Sequence, residues 1–105
     1  MRPGFDIPGV AIAFFCHDGN GNLLFQRHSP DVEKYPNHWN CGSGMVEHGE
    51  TFEDALVREL MEEYGCAGTI DHDFGTDHYF YDDAVGKTHW VTNKFLVRVN
   101  PDDVK

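Results

Sequence analysis

Val10 to Cys16 (V-A-I-A-F-F-C) is an unbroken apolar run, the pattern of a strand buried on both faces. Asp18-Gly19-Asn20-Gly21 follows and is a strong turn signal. Leu23 to Arg27 therefore reads as a second strand folding back on the first. Residues 28 to 43 hold His28, Pro30, Pro36 and two asparagines and read mostly as loop. Met45-Val46-Glu47 reads as a short strand and His48-Gly49-Glu50 as a turn. The next spacing predicts a helix from Thr51 to Tyr64. Thr51 stands at the N-cap, Asp54 completes a capping-box pair, and Gly65 falls where a left-handed C-cap is favoured. Leu56, Val57, Leu60, Met61 and Tyr64 cover one broad helical face. Phe74 to Tyr81 and Thr88 to Val99 read as strands around a turn at 82–86. In the second, His89, Val91, Asn93, Phe95, Val97 and Val99 share one face, and Trp90, Thr92, Lys94, Leu96 and Arg98 share the other. Nothing after Asn100 is expected to form an element. The pattern is that of one α/β domain over residues 1–105.

Composition narrows the function. Of 105 residues, 40% are hydrophobic and 13% aromatic, enough for a packed core and too many for general disorder. Eight Lys and Arg face eighteen Asp and Glu, a formal charge of −10. Such a surface repels phosphate backbones and anionic membranes, so no nucleic-acid polymer and no membrane is expected as a partner. No apolar run reaches the roughly 20 residues of a membrane span, and the first ten residues lack a signal-peptide layout. Cys16, Cys41 and Cys66 form no CxxC pair, which fits reduced thiols and a cytoplasmic location. The seven histidines show no HxxxH spacing and read as scattered strand and loop residues.

The helix carries the candidate chemistry. Glu59, Glu62 and Glu63 stand at i, i+3 and i+4, within roughly 100° of one another on adjacent turns. Like charges at this spacing cost about 0.2–0.5 kcal/mol per pair. A divalent cation turns that repulsion into attraction, and oxygen-only ligands favour Mg²⁺ or Mn²⁺ over zinc. Taken alone, the triplet reads as a solvated acidic helix face.

Its surroundings change that reading. Gly44 to Cys66 reads G-MVEHG-E-TFEDALV-R-E-L-M-E-E-Y-G-C. This resembles the Nudix box, G-x(5)-E-x(7)-R-E-U-x-E-E-x-G-U, where U is a bulky aliphatic residue. Gly44, Glu50, Arg58, Glu59, Leu60, Glu62, Glu63 and Gly65 match in place, and only Cys66 departs, mildly. The chain is on these residues identified as a member of the Nudix hydrolase family, MutT-like in its small size. The resemblance implies an α/β/α sandwich with a mixed sheet and a divalent metal, Mg²⁺ or Mn²⁺. It implies Glu59, Glu62 and Glu63 as metal ligands, with the backbone carbonyl of Ser43 as a further ligand. Glu50 would be an additional or indirect metal contact, and Arg58 would orient a carboxylate. The implied reaction is hydrolysis of a nucleoside diphosphate linked to another group, water attacking phosphorus. Metal neutralises the phosphates and acidifies water, and a carboxylate, Glu59 or one from a later loop, accepts the proton.

Two departures bear on the expectation. Ser43 stands where the family has glycine, so a positive φ there would strain it. The chain also stops before the strand and C-terminal helix that cover the sheet's second face in the family. The expectation is a fold truncated at its C-terminus, either a piece of a longer protein or a domain whose open face a second copy covers in a homodimer.

For the substrate, Tyr35 and His38 precede the box on a polar loop and are expected to meet a nucleotide base. Arg27 is expected to meet a phosphate, against a plain strand-end role. Phe14, Phe80 and Trp90 are aromatic candidates for which a core position is favoured. Asp77, His78 and His89 are further candidates for the cleft. The favoured reaction is cleavage of a nucleoside triphosphate to monophosphate and pyrophosphate. The alternatives are an ADP-ribose or nucleotide-sugar pyrophosphatase, or a non-catalytic Nudix-like nucleotide-binding domain.

Overall fold

The computed structural model describes residues 1–24, 26–27, 39–40 and 42–104. Among these residues, seven strands and one α-helix follow in chain order. They are β1 (Gly9–His17), β2 (Leu23–Leu24), β3 (Gln26–Arg27), β4 (Trp39–Asn40), β5 (Gly42–Met45), α1 (Phe52–Tyr64), β6 (Thr69–Asp83) and β7 (Gly86–Arg98). The main sheet is mixed. β1 pairs in parallel with β7, and antiparallel with both β2 and β5 along its other edge, while β6 pairs antiparallel with β7. β3 and β4 form a separate two-stranded ladder.

The helix begins and ends as its local chemistry dictates. Thr51 accepts from the Asp54 N–H at 3.1 Å and Asp54 accepts from the Thr51 N–H at 3.1 Å, a reciprocal capping box. Gly65 closes the helix at φ 68°, its N–H on the Met61 carbonyl, a conformation glycine adopts without a Cβ penalty.

One face of α1 covers one face of the sheet. Ala55, Leu56, Leu60 and Tyr64 pack with Ile12, Phe14 and Cys16 of β1 and Phe95 and Val97 of β7. Phe14 meets Tyr64 edge to face, centroids 6.1 Å apart. Fully burying a side chain such as Phe14 or Leu60 contributes roughly 1.5–3 kcal/mol.

Several expectations are corrected here. β1 is deeply buried on the helix side only; Ala11, Ala13 and Phe15, on the other face, are half-buried, because no helix among the described residues covers that face, and Val10 on the helix side is 42% exposed. Among the described residues the hairpin from β1 pairs at Leu23 and Leu24, and β5 takes up the same edge further along. The short strand lies at Gly42–Met45, earlier than Met45-Val46-Glu47. Val57 and Met61 are exposed, and the helix buries Ala55 and Glu59 instead. β6 begins five residues earlier than expected, because two bulges, between Ile70 and His72 and between Asp73 and Gly75, let a polar segment keep pairing. Asn93, buried opposite the second bulge, accepts from Thr76 Oγ1 at 2.8 Å and donates to Asp73 Oδ1 at 3.0 Å. After β7 the chain makes a 3₁₀ turn at Pro101–Asp103, capped by Asn100.

Candidate active site

Arg58 is the hub of the box. Its Nε and Nη2 donate to the two oxygens of Glu50 at 2.8 and 3.0 Å, a bidentate pair. Its Nη1 donates to Glu59 Oε1 at 2.7 Å and lies 3.5 Å from Glu62 Oε2. Nη2 also donates to the Met45 carbonyl at 2.8 Å, so the guanidinium ties the helix to the end of β5. Glu47 Oε1 stands 3.8 Å from Nη1, and the Glu47 N–H donates to Glu50 at 2.9 Å. The Arg58 hydrogen bonds, joined by that N–H, pull the Glu50 carboxyl down to about 2. Hydrogen bonds to Glu50 and Glu59 in turn raise Arg58.

Two glycines of β5 make room for two carboxylates. A Cβ on Gly44 would overlap the Glu59 carboxyl, which is buried over it. A Cβ on Gly42 would overlap the Phe14 ring and stand 2.8 Å from Glu63 Oε2. The glycines serve close approach, since neither has a left-handed φ. Ser43 lies between them, paired with Ala13 inside the ladder. Extended backbone suits serine, so the expected strain does not arise.

Glu63 behaves differently from its neighbours. Its Oε2 is buried and finds no hydrogen-bond partner among the described residues. Burial first, then the charges of Glu59 and Glu62, raise its carboxyl to about 7. A carboxylate kept short of partners beside two others is the electrostatic setting a hard cation relieves. Among the described residues no three carboxylate, imidazole or thiolate groups already converge on one point fit for a metal ion; Glu59 is held by Arg58 and Glu62 reaches solvent. The all-oxygen donor set and the orphaned Glu63 oxygen fit a divalent cation of the Mg²⁺ class.

The other expected substrate residues divide. Tyr35, His38 and the Arg27 side chain lie outside the described residues. Phe14 is core. Phe80 is 72% exposed, against the expected core position, because it projects from β6, which is an edge strand among the described residues. Trp90 lies against Gly4 and Gly9, where a Cβ would overlap its indole. A cavity of about 280 Å³ opens on the sheet face away from α1, lined by Ala11, Ala13, Ser43, Met45, Tyr81, Trp90 and Thr92. Asp77 lines a separate opening with Phe15, Phe74 and Lys94. His78 and His89 are on the helix side of the sheet, judged by their register with Val91 and Phe80, so they do not face the 280 Å³ cavity. A larger cavity, about 600 Å³, is lined by Asp18, Arg98 and Asp102 and holds no box residue.

Sequence reasoning missed Glu47 and the part played by Gly42. The signal for Gly42 was the G-x-G spacing around Ser43, which reads as close approach only once Phe14 and Glu63 are placed.

The fold and site together define a Nudix-type catalytic scaffold. The NUDIX domain model matches residues 7–104, and the chain belongs to the Nudix family. It is 30% identical to the low-salt glycan biosynthesis protein Agl8 of Haloferax volcanii, over 95% of this chain and 65% of that protein. It is 34% identical to a Nudix hydrolase of Pseudomonas aeruginosa, over 67% of this chain and 40% of that protein. The chain thus spans less than two thirds of these relatives' length. The crystal structure of Caenorhabditis elegans Ap4A hydrolase superposes with a TM-score of 0.66 at 28% identity, covering 92% of this chain and 73% of that one. Among the described residues no helix is long and apolar enough to cross a membrane.

Proposed function

We propose that residues 1–105 act as one Nudix domain, a metal-dependent pyrophosphohydrolase of a nucleotide-type small molecule. The observation that carries this is the division of labour on α1: Arg58 fixes Glu50 and Glu59, while the buried oxygen of Glu63 is left without a partner. In this reading Glu59, Glu62 and Glu63, with the Ser43 carbonyl, hold Mg²⁺ or Mn²⁺. When bound, the cation neutralises phosphate charge and makes water a better nucleophile. Arg58 keeps Glu59 in place through the two carboxylates it spans, and Glu50 keeps Arg58 in place. A helix carboxylate receives the proton of the attacking water. Ser43 and Gly44 border the 280 Å³ cavity, where Trp90 and Tyr81 offer ring faces to a base or sugar. Arg27, Tyr35 and His38 complete the substrate contacts. The domain works in the cytoplasm, with a second copy covering the open sheet face.

The favoured substrate is a nucleoside triphosphate, cleaved to monophosphate and pyrophosphate. A second reading, a nucleotide-sugar or ADP-ribose pyrophosphatase, draws support from the Haloferax relative, named for glycan biosynthesis. A hydrolysis screen of nucleoside triphosphates, dinucleoside polyphosphates, ADP-ribose and nucleotide sugars separates them. Run with Mg²⁺, with EDTA and on Glu62→Gln, it should show turnover that needs the cation and is lost in the variant. Turnover that survives both EDTA and Glu62→Gln would refute the reading.

A further inference from the structure

We infer that His78 and His89 form a second metal site, for a tetragonal transition-metal ion of the Cu²⁺ or Ni²⁺ class, on the β6–β7 hairpin. His78 Nδ1 and His89 Nε2 stand 2.9 Å apart across the two strands. Their backbones are held by the ladder, since Phe80 pairs with His89 and His78 with Val91. The His89 N–H is further tied to the Gly4 carbonyl at 2.8 Å. Phe80 stacks on the His89 ring at 4.4 Å and 25°, which limits how that imidazole turns. The 2.9 Å spacing is an N–H···N hydrogen bond between the rings, and it brings both nitrogens within reach of one ion about 2.0–2.1 Å from each. With two imidazole ligands and water, the affinity order of the divalent ions peaks at Cu²⁺, above zinc.

The two rings share one N–H where the ion would sit. A tautomer shift moves that proton to the outer nitrogen of its ring, and a rotation of the exposed His78 ring aims both lone pairs at one point. Two neutral imidazoles then bind without releasing a proton, and water fills the other positions. The site is nitrogen-based and rests on a sheet face beyond the box helix, so it differs in chemistry and place from the carboxylates of α1. A cation held there would staple β6 to β7.

The test is Cu²⁺ binding to the full chain in excess Mg²⁺, followed by electron paramagnetic resonance and melting temperature. Wild type should bind one equivalent with the splitting of two imidazole nitrogens and melt higher with Cu²⁺. His78→Gln and His89→Gln should each lose at least about tenfold in Cu²⁺ affinity and the Cu²⁺-dependent rise in melting temperature, while His72→Gln keeps both. Circular dichroism without metal verifies that each variant folds. Wild-type affinity in the two variants, or an equal loss in His72→Gln, would overturn the assignment.

Discussion

The carboxyl of Glu59 occupies the space that a side chain at Gly44 would need. The glycine at the head of the box and the first carboxylate of its helix are therefore one packing unit. Gly44→Ala should expel Glu59 from its contact with Arg58 while leaving the strand's backbone conformation allowed. We expect kcat to fall at least about a hundredfold, the scale of losing a positioned group by about 1 Å, with Mg²⁺ affinity weakened. Steady-state kinetics and Mg²⁺ titration check this, and near-wild-type values for both would contradict it.

Arg58 hydrogen-bonds four residues at once, through the carboxylates of Glu50, Glu59 and Glu62 and the Met45 carbonyl. A lysine carries the same charge but no planar fork. Arg58→Lys should therefore lose activity by about tenfold to a hundredfold, the range for residues that orient metal ligands. Recovery of wild-type kcat by lysine would show that charge alone suffices.

Glu63 links stability to pH. Its carboxyl sits at about 7 in the native state against 4.5 ordinarily. Between those values the native state holds a proton that the unfolded chain has released. The contribution is fully present below 4.5 and is lost as pH rises through about 7. Metal-free protein should be less stable to urea at about pH 8 than at about pH 5.5, and Glu63→Gln should flatten that difference. Glu50, drawn the other way to about 2, acts in a lower window, losing its contribution as pH falls from 4.5 through 2. Equal wild-type stability at the two pH values in EDTA would exclude a buried, strained Glu63.

Thr51 caps the helix that presents all of these groups. Thr51→Ala should cost about 1 kcal/mol, within the usual range for a lost N-cap, measured by urea denaturation. Thr51→Ser should restore most of it, since the hydroxyl is what the Asp54 N–H meets.

The helix was legible because its signals are local. Thr51, Asp54 and Gly65 specify its ends within one turn each, and the box spacing marks its acidic face. Pairing across the sheet was less legible. The Thr69–Asp73 stretch carries little apolar patterning, and its place in β6 rests on bulges and on Asn93, twenty residues further along than Asp73. Val57 and Met61 looked like core because periodicity does not say where a buried face ends. Glu59, a charged residue, takes the buried place because Arg58 and Gly44 receive it. The carboxylates of the box were readable as a set. The inequality among them was not, since it arises from Arg58 holding Glu59 and from the burial of Glu63.

The parallel register of β1 with β7 joins Gly9–His17 to residues 90–98. During synthesis the first strand emerges some eighty residues before its central neighbour. Until residue 98 clears the ribosome, Ile12, Phe14 and Cys16 can gather only β2, β5 and the helix around them. Closing so long a loop is slow, and an apolar strand left with a bare edge meanwhile is prone to wrong pairing. Chaperone dependence and yield at high expression rate should therefore be governed by the arrival of β7 rather than by the strength of the box helix.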